Sequence, residues 1–163
     1  PMATFGDGYM WYVSGIIHDK TGFPVTANPA VATQLIDRLH EKIYKNLNDI
    51  LQFEEYETSD AEIVVFSYGS VARSAVSAIK AARKEGIKVG LFRPLTLWPF
   101  PEEPLKKLAG KVKVVIVAEM NYGQIYYKVK EVVEGLAPVK LISQYNSKLI
   151  TPQQILSAIR EGM

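Results

Sequence analysis

Residues 111–136 read KVKVVIVAEMNYGQIYYKVKEVVEGL, and this stretch decides the fold. Val112 to Ala118 is a near-unbroken apolar run rich in Val and Ile. That is the composition of a strand covered on both faces in a parallel sheet. Glu119 to Gly123 then places polar side chains and a glycine where the strand should end. From Gln124 the period changes: Ile125, Val129, Val132 and Val133 share one helical stripe, with Lys128, Glu131 and Glu134 off it. A strand, a short polar turn and an amphipathic helix form half of a βαβ unit. In open α/β sheets, ligands and partners meet the fold at such a turn. Glu119 stands out there, because a carboxylate leaving a strand buried on both faces must find donors.

The same alternation extends upstream and downstream. Glu62 to Tyr68 reads as a buried strand, followed by Gly69-Ser70 and a helix from Val71 to Glu85. That helix has a narrow face of Ala75, Ala78, Ile79 and Ala82, suited to close packing on a sheet, and Gly86 is its expected left-handed stop. Lys88 to Phe92 is the next strand. Arg93 to Pro104, RPLTLWPFPEEP, is a proline-rich and extended loop, and a short helix from Glu103 to Ala109 leads into the central strand. Val139 to Ile142 is a last short strand, and Thr151-Pro152 caps a final helix through Ile155, Leu156 and Ile159. The order β-α-β-(α)-β-α-β-α argues a parallel sheet with helices on both faces and right-handed crossovers.

The first third of the chain reads differently. Residues 1–27 contain a short aromatic run, with Trp11-Tyr12-Val13 as a possible strand, and then SGIIHDKTGFP at 14–24, which has turn chemistry. So little periodicity cannot build a core, so residues 1–27 are expected to be a docking arm ordered by contacts outside their own domain, with residues 28–163 as the α/β domain. Asn28-Pro29 starts a helix. Val31, Leu35, Leu39, Ile43 and Leu47 carry it to about Leu51, and Glu54, Glu55 and Glu57 read as a solvated linker.

Composition removes several functions. At 48% hydrophobic and 22% charged, the 163 residues can bury a proper core. A net charge of +2 with no Lys/Arg block gives no basis for nucleic-acid binding. No apolar run reaches the roughly 18 residues of a membrane span, and no secretory pattern opens the chain, so a cytoplasmic location is expected. The absence of cysteine excludes disulfides, thiol nucleophiles and thiolate ligation of an iron–sulfur cluster by this chain. His18 and His40 have no carboxylate cluster with which to make a zinc site.

Two turns are candidate contact points. Gly69-Ser70 opens a helix after a buried strand, where a ligand anion is favoured, but no G-x-G-x-x-G or Walker A lysine accompanies it. A helix cap with a glycine for tight packing is the preferred reading. At 119–124, EMNYGQ, Asn121 with Gln124 suggests a capping-box variant, with Gly123 inside the turn. His18-Asp19 reads as a surface contact rather than an acid–base pair. Trp98 and Phe100 read as a loop anchor or an interface.

Together these pieces resemble the alpha subunits of 2-oxoacid:ferredoxin oxidoreductases. SGIIHDKTGFP resembles that family's G-x-x-H-D-x-x-G-x-P arm, RPLTLWPFP its R-P-x-x-L-W-P-F-P loop, VAEMNYGQ its V-x-E-x-N-x-G-Q signature and TPQQI the start of its last helix. The VAEMNYGQ form looks most like subunits acting on 2-oxoglutarate, with branched-chain 2-oxoacid enzymes next. The resemblance implies a transketolase C-terminal-domain-like fold: a three-layer α/β/α domain with a five-stranded, mostly parallel sheet in order 1-3-2-4-5 and strand 1 antiparallel. Trp11 to Ser14 would supply strand 1. Gly69, Ser70, Glu119, Asn121, Gly123 and Gln124 would line one crevice, and His18, Asp19, Trp98 and Phe100 would face an interface.

The implied parent converts a 2-oxoacid and coenzyme A to acyl-CoA and carbon dioxide while reducing ferredoxin. Thiamine diphosphate, magnesium and iron–sulfur clusters are expected in that complex and none on this chain. The chain resembles the C-terminal portion of the alpha subunit, expected to serve assembly within an oligomer and contacts to effector or coenzyme A, with no catalytic residue and no activity alone. Two other classes stay open: a freestanding anion-binding α/β module and a purely structural interaction domain. Glu119 is expected to act as a structural clamp, accepting from backbone N–H groups of the 121–124 turn and of Gly69-Ser70.

Overall fold

The structure, a computed structural model, describes residues 3–10 and 16–162. The expected strand at Trp11 to Ser14 lies outside the described residues, and the antiparallel place at the sheet edge expected for it is filled by Phe53–Tyr56. Contacts divide the chain into two compact units, residues 1–48 and 49–163, a division that falls after Asn48 rather than at residue 27.

The first unit holds a tight turn and a helix. His18 and Pro24 form an isolated antiparallel bridge, and the turn between them is closed by Asp19 N–H to Phe23 O at 3.0 Å and Gly22 N–H to Asp19 O at 3.0 Å. Helix α1, Pro29–Tyr44, starts as its sequence requires: Asn28 Oδ1 accepts from Ala30 N at 3.0 Å and Val31 N at 3.4 Å. It ends earlier than the apolar stripe suggests. Asn46 Nδ2 donates to Lys42 O at 2.7 Å and satisfies a last-turn carbonyl, so the chain turns before a separate short helix α2, Leu47–Ile50.

The second unit is the α/β domain. Its elements are β1 Phe53–Tyr56, β2 Ile63–Ser67, α3 Val71–Lys84, β3 Val89–Pro94, α4 Glu102–Ala109, β4 Val114–Glu119, α5 Gln124–Val133, β5 Val139–Ser143 and α6 Pro152–Arg160. The sheet order is β1-β3-β2-β4-β5, with β1 antiparallel and the other neighbours parallel. β2 and β4 are buried at every position, as double-sided coverage demands. One face packs Val65, Leu91 and Ile116 against Ala75, Ile79 and Ala82 of α3 and Ile155 and Ile159 of α6. The other packs Phe66, Phe92 and Val117 with Leu105 of α4 and Val129 and Val133 of α5.

The edge strand is the correction. Glu54 and Glu55 do not belong to a solvated linker but to β1, in register with Arg93 and Phe92. Alternation was obscured because an edge strand carries charges on its open side. Glu54 Oε2 accepts from Arg93 Nη1 at 3.0 Å across the pair, and Phe53 stacks on Phe92 with centroids 5.2 Å apart. Glu57, at φ +55°, ends the strand so close to β3 that a Cβ on Gly90 would meet its carbonyl oxygen at 2.5 Å. Arg83 ties this corner down, with Nη2 donating to Glu57 O and Asp60 Oδ1, both at 2.7 Å.

Candidate functional site

β2 and β4 are adjacent and parallel, yet the chain leaves β2 for one side of the sheet and β4 for the other. Their carboxyl ends form the topological switch point, where an open α/β sheet parts to admit contacts. Glu119 is the last residue of β4 and is 1% exposed.

Its carboxylate accepts four hydrogen bonds. Oε2 receives Tyr68 Oη at 2.9 Å, Asn121 Nδ2 at 2.8 Å and Ile125 N at 3.1 Å, and Oε1 receives Tyr126 N at 2.9 Å. Asn121 completes the arrangement. Its Oδ1 accepts from Gly123 N at 2.9 Å and Gln124 N at 2.8 Å, and its Nδ2 also reaches Tyr68 Oη at 2.9 Å. Two side chains thus satisfy four successive backbone donors at the start of α5, 123 to 126, which an α-helix leaves without intrahelical partners. Negative charge at a helix N-terminus is favoured by the peptide dipoles as well. Ser143 Oγ donates to the Asn121 carbonyl and brings the end of β5 into the network.

This geometry corrects two expectations. The donors to Glu119 are Ile125, Tyr126, Tyr68 and Asn121, and none comes from Gly69-Ser70. Asn121 caps without a capping box: Gly123, in a left-handed conformation at φ +99°, precedes the helix, and the reciprocal box sits instead at Thr151 and Gln154 of α6. Tyr68 is the residue that sequence reasoning missed. It closes a run of buried β2 residues and reads as one more strand aromatic, and only the β2–β4 adjacency brings it to Glu119. Burial, reinforced by the neighbouring Glu119 carboxylate, pushes the Tyr68 hydroxyl up to about 12.

Gly69 has φ +57° with open space around it, and Ser70 makes no side-chain cap bond to α3. Ser70 instead lines a shallow cleft of ≈ 240 Å³ with Arg73, Ser74, Ser77 and Met120. Gly69, Asn121, Gly123 and Gln124 are not among the residues lining it. In the 93–101 loop, Phe100 stacks on Phe66 at 5.9 Å and anchors the segment, while Trp98 is 60% exposed. Thr96 also holds the loop, donating to Ile50 O at 2.8 Å and accepting from Gln52 N at 3.2 Å. His18 and Asp19 lie in the first unit, with Asp19 Oδ1 accepting from Thr21 N, Thr21 Oγ1 and Phe23 N at 2.8, 2.6 and 3.2 Å. The Thr21 hydrogen bonds hold its carboxyl below the ordinary range.

Residues 61–155, more than half of the chain, match the pyruvate:ferredoxin oxidoreductase core domain II family. The chain belongs to this family. The matched region runs from just before β2 to the middle of α6 and includes the whole Tyr68–Glu119–Asn121 network. Among curated relatives, the 2-oxoglutarate synthase subunit KorA of Methanothermobacter marburgensis is 39% identical over 97% of this chain and 42% of that protein. The ketoisovalerate oxidoreductase subunit VorB of the same organism is 42% identical over 76% of this chain and 35% of that protein. The chain thus spans about two fifths of the length of the first of these relatives. Among solved structures, a 2-oxoglutarate:ferredoxin oxidoreductase from Magnetococcus marinus superposes with TM-score 0.76 at 22% identity, over 99% of this chain and 28% of that one. A split-gene transketolase gives TM-score 0.60 at 20% identity, over 68% of this chain and 41% of that one. At such identities both comparisons speak to the fold, which is the domain II arrangement with its antiparallel edge strand.

An iron–sulfur cluster does not fit this domain II chain, which has no cysteine. Among the described residues, no three His, Asp or Glu side chains gather to hold a metal ion, and no helix is long and apolar enough to cross a membrane.

Proposed function

We propose that this chain is the domain II portion of the alpha subunit of a cytoplasmic, thiamine diphosphate-dependent 2-oxoacid:ferredoxin oxidoreductase, with 2-oxoglutarate as the substrate. The observation that carries the reading is the 39% identity to a 2-oxoglutarate synthase subunit over 97% of the chain. The reaction of the assembled enzyme would be 2-oxoacid plus coenzyme A plus oxidised ferredoxin giving acyl-CoA, carbon dioxide and reduced ferredoxin, with two electrons passing to ferredoxin and the coenzyme A thiol proton released. Thiamine diphosphate, magnesium and the clusters belong in this reading to the other domain and subunits. No side chain of domain II is assigned to the reacting atoms. Its part is assembly and contact: Trp98 and residues 1–27 dock on neighbouring domains, and the Gly69, Ser70 and Asn121–Gln124 turns face the partner or a coenzyme A group.

Glu119 fits a holding role. A general acid or base must reach substrate, and all four of its hydrogen bonds run inward to the start of α5, Tyr68 and Asn121. The test is viologen- or ferredoxin-linked turnover of the full complex with thiamine diphosphate and coenzyme A. Preference for 2-oxoglutarate over 2-oxoisovalerate and pyruvate supports the reading. Turnover by residues 1–163 alone, or no 2-oxoacid activity in the assembled complex, overturns it.

A further inference from the structure

The oxidoreductase reading docks residues 1–27 on neighbouring domains but gives no ligand to the side of the 18–24 turn that faces α1. A cavity of ≈ 740 Å³ opens between the 18–24 turn and α1, within the size range of small-molecule sites. Val31, Gln34, Leu35 and Arg38 face it from the helix, at the spacing that puts four side chains on one face. His18, Asp19, Lys20, Thr21 and Gly22 face it from the turn. The floor is apolar: Leu35 is the buried residue of α1, and Val31 lies one turn before it. The His18–Pro24 bridge and the bonds to Asp19 hold the turn that forms this wall.

The charges in this cavity are unbalanced. Glu41 pairs with Lys45 further along α1, but among the described residues neither Lys20 nor Arg38 has an ion-pair partner. Among the described residues, Asp19 is the one acidic group in the lining, and its Oδ1 is occupied by the turn. An arginine fork, a lysine ammonium and a Gln34 amide above an apolar floor suit a molecule with an anionic group and a compact apolar body. We propose that this cavity binds a small organic anion, its phosphate or carboxylate groups held by Lys20 and Arg38 and its body resting on Val31 and Leu35. The site is independent of the 2-oxoacid assignment.

The test is titration calorimetry of the full-length protein at low salt with two probes, adenosine diphosphate and benzene-1,3,5-tricarboxylate, each compared with pyrophosphate. Binding of the first alone identifies a phosphate source, and binding of the second alone a carboxylate source. Either should exceed pyrophosphate, which has no body to cover the floor. Lys20→Gln combined with Arg38→Gln should weaken binding at least about tenfold, the loss expected for removed charge-assisted contacts. Val31→Glu, which places a carboxylate on the floor, should abolish it, while Lys148→Gln in the other unit should change nothing. Failure of both organic probes to bind, or equal affinity in the double variant, overturns the proposal.

Discussion

Helices α3 and α5 begin in the same way and are finished differently. Each follows a fully buried strand, β2 or β4, across a glycine in a left-handed conformation, at the same edge of the sheet. At α5, Glu119 and Asn121 take up the donors of residues 123–126. At α3, Ser70 sits in a helical conformation at φ −68° and offers no side-chain acceptor, and of the first donors Arg73 N reaches back to Ser70 O at 3.2 Å. Side chains of the protein therefore occupy one helix start, and no side chain caps the other. Of the two turns, the one with more polar residues is the more fully committed to structure. Polar residues at a strand's carboxyl end are thus not by themselves a sign of a ligand.

Substitutions at the two helix starts should break this contrast unequally. Glu119→Ala should have the largest effect, destabilising the domain by on the order of 3 kcal/mol, because buried donors left unpaired cost about 1–3 kcal/mol each. Chemical denaturation measures it. Glu119→Gln should cost less, about 2 kcal/mol, because one acceptor oxygen remains while the new amide opposes a donor. Asn121→Ala should follow at about 1–2 kcal/mol, as an N-cap loss. Tyr68→Phe should cost about 1 kcal/mol near neutral pH, and it also has a pH signature. The Tyr68 hydroxyl is raised from 10 to about 12 in the fold, so its contribution is complete below pH 10 and is lost as pH rises toward 12. The stability gap between wild type and Tyr68→Phe should therefore close across that window. Ser70→Asp should have the smallest effect, a gain of about 0.3–1 kcal/mol from charge at the open helix start.

Much of this architecture is legible in the chain. β2 and β4 announce themselves as unbroken apolar runs, α3 by its alanine face, and α6 by Thr151-Pro152. The sheet order and the antiparallel edge came from the family resemblance, since alternation alone cannot order strands. The edge strand itself was hidden, because Glu54 and Glu55 are exposed on opposite faces, which breaks the apolar/polar alternation, and a four-residue strand leaves too short a pattern to detect. The end of α1 was hidden because one Asn46 side chain outweighs a continuing stripe. At the site, the need of Glu119 for donors could be read from burial alone, whereas their identity could not. Ile125 and Tyr126 become donors through the left-handed Gly123, and Tyr68 through a neighbour 51 positions away in sequence.

The central claim is that Glu119 is a clamp on the start of α5, and residue-resolved amide hydrogen exchange tests it most directly. In the wild-type protein, the Ile125 and Tyr126 amides should exchange much more slowly than the Ala72 amide, which holds the position in α3 that Ile125 holds in α5. In Glu119→Ala, protection at Ile125 and Tyr126 should fall toward the Ala72 value while the centre of α3 is unchanged. Equal exchange at the two helix starts in the wild type, or unchanged protection at Ile125 and Tyr126 in Glu119→Ala, would contradict the account.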